Sequence, residues 1–252
     1  MPRYFLEVSY KGTAYSGFQV QNNANTIQSE VEKAFQILQK QKVSMTGSSR
    51  TDAGVHALQN FFHFDYEELI NPHFLYKMNA ILPADIVVKK LIPVKNEQHS
   101  RFDALSREYK YSIYQYKNPF LEDRAFYFPY KLNIEAIQQA AELIKTYTDF
   151  TSFSKRRTQV KTFNCEIIKS EWSWEDECLV YYASANRFLR GMVRALVATM
   201  LKIGRGKMTI EEFKGIIEQK NSARASFAVP ARGLFLLSVN YPPDYFGESK
   251  KN

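Results

Sequence analysis

Residues 47–66 read GSSRTDAGVHALQNFFHFDY, a polar segment with two glycines that runs into an aromatic-rich stretch. The first part brings an arginine, an aspartate and a histidine close together, which is more than a turn requires. The second part, over residues 57–66, has the aromatic content that is typical of a strand. The stretch therefore predicts a loop with candidate chemical groups that leads directly into a sheet.

The elements around this stretch predict the order β-α-β-β-α-β. Strands are expected over residues 3–10, 43–48, 57–66 and 86–94, because apolar, aromatic or β-branched side chains recur there. One helix is expected after Asn25 or Thr26, either of which can cap it, and another at Asn71-Pro72, where proline suits the first turn.

The second part of the chain repeats this order. Strands are expected over residues 107–116, 160–174, 178–185 and 233–239. Helices are expected after the cap Asn133, over residues 187–203, and after Thr209, whose spacing to Glu212 forms a capping box. The repeat predicts an α+β fold of two tandem ferredoxin-like halves, over residues 1–104 and 105–246, followed by a tail over residues 247–252.

The composition predicts a basic chain with a sizeable core. The 252 residues are 45% hydrophobic and carry a net charge of +8, with a pI of about 9.3. A basic surface favours polyanions such as nucleic acids, although many proteins are mildly basic. Because the chain shows no apolar run of membrane-spanning length, no signal-peptide pattern and no disulfide framework around Cys165 and Cys178, we expect a cytoplasmic protein with reduced thiols and no membrane association.

Asp52 is the candidate catalytic residue in the loop. A carboxylate can act as a covalent nucleophile or as a base, whereas the alternative is an aspartate that only fixes a turn through the backbone. Arg50 lies two residues away and shares a face with Asp52 if the loop is extended; otherwise it is a surface cation. His56 is either a ring near the site or a packed histidine at the start of the strand.

Three arginines, Arg187, Arg190 and Arg194, recur at i, i+3 and i+7 and would share one face of the helix predicted over residues 187–203. That face becomes apolar further along, at Leu201. Arg194 therefore lies where an arginine can be partly buried and then needs a carboxylate partner. Arg187 and Arg190 suit a solvated face that binds phosphate.

Tyr109 lies in an alternating strand, so it is either a core residue or a ring that can stack on a base. Two further basic clusters can bind phosphate or belong to ordinary solvated loops, with neither alternative favoured. They consist of Lys155, Arg156, Arg157 and Lys161, and of Lys202, Arg205 and Lys207.

Taken together, these motifs resemble the tRNA pseudouridine synthase A (TruA) family, and the resemblance extends over about residues 3–242. The loop matches the family pattern GxxRTDxGVHA, and the other matches follow in the family's order. They are YKGTAYSGFQVQ at 10–21, NAILPADI at 79–86, REYKY at 107–111, FLRGMVR at 188–194 and VPARGL at 229–234. The chain departs from the family pattern at Phe18, Tyr147 and Gly191.

This resemblance implies specific roles for the candidate residues. Asp52 would be the nucleophile, Arg50 would enter the RNA stem and hold the target base out, and Tyr109 would stack on the flipped uracil. Arg194 would pair with Asp52 and keep it ionised. Because isomerisation of uridine involves no redox change and no group donor, we expect no cofactor and no metal.

The resemblance also implies an architecture and a substrate. The two halves would form a shared, mostly antiparallel sheet with a central cleft, as in the pseudouridine synthase fold. A homodimer would bind tRNA and isomerise uridines of the anticodon stem-loop, at the expected positions 38–40.

Two other classes of function remain as alternatives. A ferredoxin-like sheet is also a scaffold of RNA-recognition domains, but no RNP1-like string appears in the sequence. A hydrolase with an aspartate nucleophile would need a second polar group to activate water, and the sequence identifies none.

Overall fold

The computed structural model describes residues 1–68, 70–155, 160–223 and 225–247. Contacts divide the chain into two units, Met1–Leu105 with Leu236–Asn252, and Ser106–Phe235. Arg156 and Arg157 of the first basic cluster lie outside the described residues, and so does the predicted tail from residue 248 onward.

The first unit contains two helices on a small sheet. Its elements are β1 (Arg3–Tyr10), α1 (Ile27–Gln39), β2 (Thr46–Gly47), β3 (His56–Asp65), α2 (Phe74–Ile81) and β4 (Ile86–Val94). The strand order is β4-β1-β3, with β2 on the other side of β3, and all these pairs are antiparallel. Helix α1 begins as predicted, because the Thr26 side chain accepts a hydrogen bond from the Ser29 backbone N–H.

The second unit has the same kind of layering. Its elements are β5 (Ser106–Tyr114), β6 (Phe126–Tyr127), α3 (Ile134–Leu143), β7 (Ile167–Glu175), β8 (Cys178–Ala185), α4 (Met192–Gly204), α5 (Ile210–Glu218) and the start of β9 (Leu234–Asn240). Strands β5, β8 and β7 pair antiparallel in that order, and β6 adds a short parallel pair to β5. The chain therefore has an α+β fold with an open, mostly antiparallel sheet.

Strand β9 lies mostly in the first unit, whereas the sequence pattern places it in the second half. From Leu236 onward the chain belongs to the first unit, not to the second. The Val239 N–H donates to Gln59 Oε1 of β3, 3.2 Å away. Beyond the strand, Phe246 packs on Phe5 and Phe61, with ring centroids 5.7 and 5.8 Å apart. This aromatic cluster attaches the end of the chain to the first unit.

Helix α4 begins later than predicted, and this corrects the proposed basic face. Gly191 precedes the helix with a φ of +74°, a left-handed conformation that interrupts any helix from residue 187. The helix therefore starts at Met192, and Arg187 and Arg190 lie before it. They do not share a helical face with Arg194.

Strand β7 and helix α2 also start later than predicted. Strand β7 starts at Ile167 instead of residue 160, because the preceding segment pairs elsewhere: the Phe150 N–H donates to Phe163 O, and the Cys165 N–H donates to Thr148 O. Helix α2 starts at Phe74, after a turn in which the Asn71 side chain accepts from the His73 N–H.

Candidate active site

The loop before β3 is fastened at Thr51. The Thr51 hydroxyl lies 2.8 Å from the Tyr10 hydroxyl, and the Thr51 carbonyl accepts a hydrogen bond from the Phe18 N–H at 3.1 Å. Phe18 itself is buried and stacks on Phe62 of β3, with centroids 4.6 Å apart. The middle residue of the Arg-Thr-Asp segment is thus held by the core of the first unit.

Asn60 holds the other side of this loop. Its side chain is fully buried in β3, where Nδ2 donates to Ser49 O at 3.0 Å and to the Tyr10 hydroxyl at 3.2 Å. The Ser48 hydroxyl donates to Asn60 Oδ1 at 2.7 Å. A single amide therefore ties the loop to both β1 and β3. Asn60 was not among the predicted site residues, although a polar side chain inside an aromatic strand is a recognisable signal.

His56 is a packed residue at the start of β3. It is buried, and its Nδ1 accepts a hydrogen bond from the Gly12 N–H at 3.1 Å. Gly12 approaches so closely that an added Cβ would lie 2.0 Å from the Val55 carbonyl oxygen. The histidine thus attaches the short turn Gly12–Ala14 to the end of the loop, which favours the structural alternative for this residue.

Arg50 and Asp52 flank the buried Thr51. Arg50 is exposed and Asp52 is half-buried, so exposure alternates along these three residues as it does in an extended segment. The Asp52 carbonyl accepts a hydrogen bond from the Val55 N–H at 3.2 Å, which closes the turn after it. The backbone on both sides of the carboxylate is therefore fixed by hydrogen bonds.

In the second unit, Tyr109 lies on β5 opposite Ala183 of β8. Its half-buried ring meets the edge of Phe188, with centroids 5.1 Å apart and an interplanar angle of 83°. Arg107 donates a hydrogen bond to the Asn186 carbonyl at 3.1 Å and so holds the segment that carries Phe188. Phe188 was not among the predicted neighbours of Tyr109.

Arg194 lies in the first turn of α4 and is half-buried. Its Nε and Nη2 both donate to the Val229 carbonyl, at 2.9 and 2.7 Å. Val229 begins the VPARGL segment, so two of the motifs quoted above meet here. The carbonyl fixes the orientation of the guanidinium plane, because Arg presents its N–H donors in a rigid fork.

Three further features of the described residues concern metal binding, thiol chemistry and membrane association. Among residues that the structure describes, no group of three or more His, Cys, Asp and Glu side chains is arranged to hold a metal ion. The thiol of Cys165 is buried, and burial raises its pKa to about 11, so it is a poor nucleophile near neutral pH. None of the helices in the described part of the chain has the length and apolarity needed to cross a membrane.

Comparison with known proteins identifies close relatives over nearly the whole chain. A protein from Parabacteroides distasonis named tRNA pseudouridine synthase A is 44% identical over 248 residues, which cover 98% of each chain. The protein of the same name from Bacteroides thetaiotaomicron is 42% identical over all of this chain and 95% of its own. One from Staphylococcus aureus is 35% identical over 94% of this chain and 90% of its own.

The model of the family described as tRNA pseudouridine synthase matches residues 7–103 and 141–242. The first matched region contains the whole loop around Asp52, and the second contains Arg194 and the Val229 carbonyl that holds it. The match covers more than half of the chain and includes parts of both units. The chain belongs to the tRNA pseudouridine synthase family.

Proposed function

We propose that this chain is a cytoplasmic isomerase that converts uridine in tRNA to pseudouridine, with Asp52 as the nucleophile. The carboxylate attacks the uracil at C6 or the ribose at C1′, and the N1–C1′ bond breaks. The uracil turns, the C5–C1′ bond forms, and the bond between the carboxylate and the substrate breaks. The hydrogen on C5 leaves as a proton, and N1, which has lost its bond to C1′, takes up a proton. Uridine and pseudouridine have the same atoms, so the scheme needs no oxidant, reductant or group donor.

The observation that carries this proposal is the construction of the loop in a member of this family. Thr51 is tied to Tyr10, and the Ser49 carbonyl is tied to Asn60, so the backbone around Asp52 is preorganised. A nucleophile held in one geometry avoids the entropy loss of ordering it during the reaction. A passive RNA-binding module has no use for a carboxylate on a backbone that is fixed in this way.

Arg50 and Tyr109 have the chemistry that a flipped base requires. Removing a base from a stem costs a few kcal/mol of lost stacking, which contacts to the protein must offset. The exposed guanidinium of Arg50 can replace the base inside the stem. The Tyr109 ring, supported at one edge by Phe188, can stack on the extruded uracil.

The proposal extends to the architecture. The strand order β4-β1-β3-β2 and the β-α-β-β-α-β sequence of the first unit support a ferredoxin-like half. The second unit has the antiparallel order β5-β8-β7 and supports the same assignment. The shared sheet, the central cleft and the pairing of Arg194 with Asp52 stay predictions. So does the homodimer, which analytical ultracentrifugation tests directly.

Release of tritium from tRNA labelled at uracil C5 tests the reaction. Isomerisation must discharge this hydrogen, whereas binding or hydrolysis of the glycosidic bond leaves it on the base. We expect release by the unmodified chain and none above background by Asp52→Ala or Asp52→Asn. Glu67→Gln removes an exposed carboxylate of the same unit and serves as the matched control. Full activity of Asp52→Ala would remove this residue from the mechanism.

The position of the target uridine needs its own experiment. We propose uridines 38–40 of the anticodon stem-loop. Transcripts in which these three positions carry cytidine, with compensating changes in the stem, should release no tritium from uridines labelled elsewhere. Continued release from such transcripts would assign the activity to another part of tRNA.

A further inference from the structure

A basic patch lies at the C-terminal end of α4, in the second unit. Its members are Tyr130, Lys131, Lys202, Arg205 and Lys207. The Asn133 N–H donates to Gly204 O at 2.8 Å, which holds the segment before α3 against the end of α4. The Lys207 N–H donates to Lys202 O at 2.9 Å, so the chain after the helix folds back onto its last turn. Backbone hydrogen bonds therefore bring together residues far apart in sequence.

Arg205 has the geometry of an anion-binding residue. Its guanidinium carbon lies 3.7 Å from the centre of the Tyr130 ring. The Tyr130 ring packs against the Phe128 ring, with centroids 5.0 Å apart. The backbone carbonyl of Tyr130 accepts a hydrogen bond from Gln115 Nε2 at 2.6 Å. Stacking covers one face of the guanidinium but leaves its N–H groups, which lie in the plane, to bind oxyanions.

Within the ranges that the structure describes, Lys131, Lys202, Arg205 and Lys207 form no ion pair, and the Arg205 guanidinium donates no hydrogen bond. A helix C-terminus favours nearby cations through its dipole, which accounts for Lys202 and Arg205. It does not account for Lys131, which precedes α3, or for the Tyr130 stack. Four uncompensated cations, one of them held against an aromatic ring, favour a polyanionic partner.

We propose that this patch binds phosphates of the tRNA backbone, at a second contact away from Arg194. Arg205 follows Arg194 by eleven residues, which corresponds to about 16 Å along α4. The contact is independent of sequence, because Lys and Arg reach phosphate oxygens and not base edges. The proposal rests on the proposed function, which supplies tRNA as the substrate.

The double variant Lys202→Gln/Lys207→Gln tests the patch. Binding of an unmodified tRNA transcript is measured by fluorescence anisotropy between about 50 and 200 mM KCl, the range in which phosphate contacts are most easily read. The association constant K falls as salt rises, and loss of each phosphate contact makes the slope of log K against log salt shallower by about 1. For the double variant we therefore expect a slope that is shallower by about 2, together with weaker binding at low salt. Arg205→Met should lower the slope by about 1.

Lys145→Gln/Lys220→Gln is the matched control. It removes two cations from the same unit, but both already have carboxylate partners, Glu142 and Asp149. We expect its slope to equal that of the unmodified chain. A patch variant whose salt slope equals that of the control would overturn the proposal. A patch variant that has a lower melting temperature but an unchanged salt slope would overturn it as well.

Failure of the patch and failure of the proposed function give different results. If the unmodified chain releases no tritium but binds tRNA with a slope that the patch variants lower, the reaction is wrong and the patch stands. If tritium is released normally and the patch variants keep the full slope, the reaction stands and the patch is wrong. At saturating tRNA, the patch variants should retain the unmodified kcat, because the mutated side chains lie outside the loop around Asp52.

Discussion

The guanidinium of Arg194 is oriented by hydrogen bonds to one backbone carbonyl. Because two of its donors contact Val229 O, its orientation depends on the fork shape of the guanidinium. We expect Arg194→Met to lower kcat by about 100-fold or more, as removal of one preorganised electrostatic group often does. Tritium release under saturating tRNA measures this effect.

Two further measurements separate a catalytic effect from a structural one. Arg194→Lys keeps the charge but loses the fork, so we expect an intermediate kcat. The melting temperature shows whether the Val229 contact also stabilises the fold. An unchanged kcat in Arg194→Met would rule out a role for this residue in the reaction.

His63 makes the stability of the first unit depend on pH. Burial lowers its pKa to about 4, and the Ser100 hydroxyl lies 2.8 Å from its Nδ1. The positive charges of His99 and Arg3 contribute to this lowering of the pKa, and nearby Asp65 and Asp103 oppose it. The folded state therefore favours the neutral ring.

The sign of the effect follows from the two protonation states. Between the unfolded pKa of about 6.5 and the folded pKa of about 4, the unfolded chain binds more protons, so acidification favours unfolding. We expect the free energy of unfolding to fall across this window, with His99, whose pKa burial also lowers, adding to the fall. Asp65 and Asp103, with lowered pKa values, contribute only below their usual pKa of 3.8.

Urea denaturation at pH 7 and pH 4.5 measures this dependence. His63→Gln keeps a polar side chain but cannot titrate, so the difference between the two pH values should shrink. His73→Gln is the control, because His73 is exposed on the same unit. An equal pH dependence in His63→Gln and the unmodified chain would contradict the assignment.

At the scale of elements, the turn Gly12–Ala14 packs directly against the backbone of the loop before β3, with no space for a side chain at Gly12. A Cβ on Gly12 would lie 2.0 Å from the Val55 carbonyl oxygen, and this neighbour is backbone, which cannot rotate away. We expect Gly12→Ala to destabilise the fold by about 1–3 kcal/mol, as overpacking does, and to lower tritium release by displacing the loop.

Gly215→Ala provides the matched control for this substitution. Gly215 lies within α5, and the nearest atom to an added Cβ there is 3.9 Å away. Alanine is the better helix former, so stability should rise by up to about 1 kcal/mol. Thermal melts of the two variants should therefore shift in opposite directions.

Local pattern predicted most elements, and long-range contacts explain the exceptions. Strands β1, β4 and β8 have the predicted bounds, because their apolar pattern and their flanking turns agree. The start of α4 was wrong, because the left-handed conformation of Gly191 cannot be recognised from periodicity. The start of β7 was wrong, because pairing with residues 148–150 draws its predicted first half out of the strand.

The same division applies to the candidate site. Asp52, Arg50, Tyr109 and Arg194 are predicted site residues, and they could be proposed from the sequence because each lies in a short contiguous motif. Asn60 and Phe188 were not, because their roles depend on contacts made across the fold. The sequence shows that Asn60 is a polar residue in an aromatic strand, but its contacts with Ser48, Ser49 and Tyr10 can be recognised only once β1 and β3 are paired.

At the scale of the whole molecule, the first unit depends on aromatic residues from the end of the chain. Phe246 contacts the rings of Phe5, Phe61, Tyr241 and Tyr245 at centroid distances between 5.2 and 5.8 Å. Aromatic pairs contribute about 0.5–1.5 kcal/mol each beyond the area they bury. We expect Phe246→Ala to lower the free energy of unfolding by about 2 kcal/mol.

Chemical denaturation of Phe246→Ala measures this loss. Tyr116→Ala is the control, because 86% of Tyr116 is exposed. Equal stability of the two variants would show that the aromatic cluster adds nothing to the first unit.

The return of the chain to its first unit has a consequence for biosynthesis. A ribosome delivers β1, β3 and their helices early, but the strand and rings that complete this unit come after residue 235. During translation, Phe5 and Phe61 therefore lack their contact with Phe246 until the whole second unit has been synthesised. A product whose translation stops before residue 236 would therefore carry the candidate carboxylate of Asp52 on a first unit that lacks these contacts.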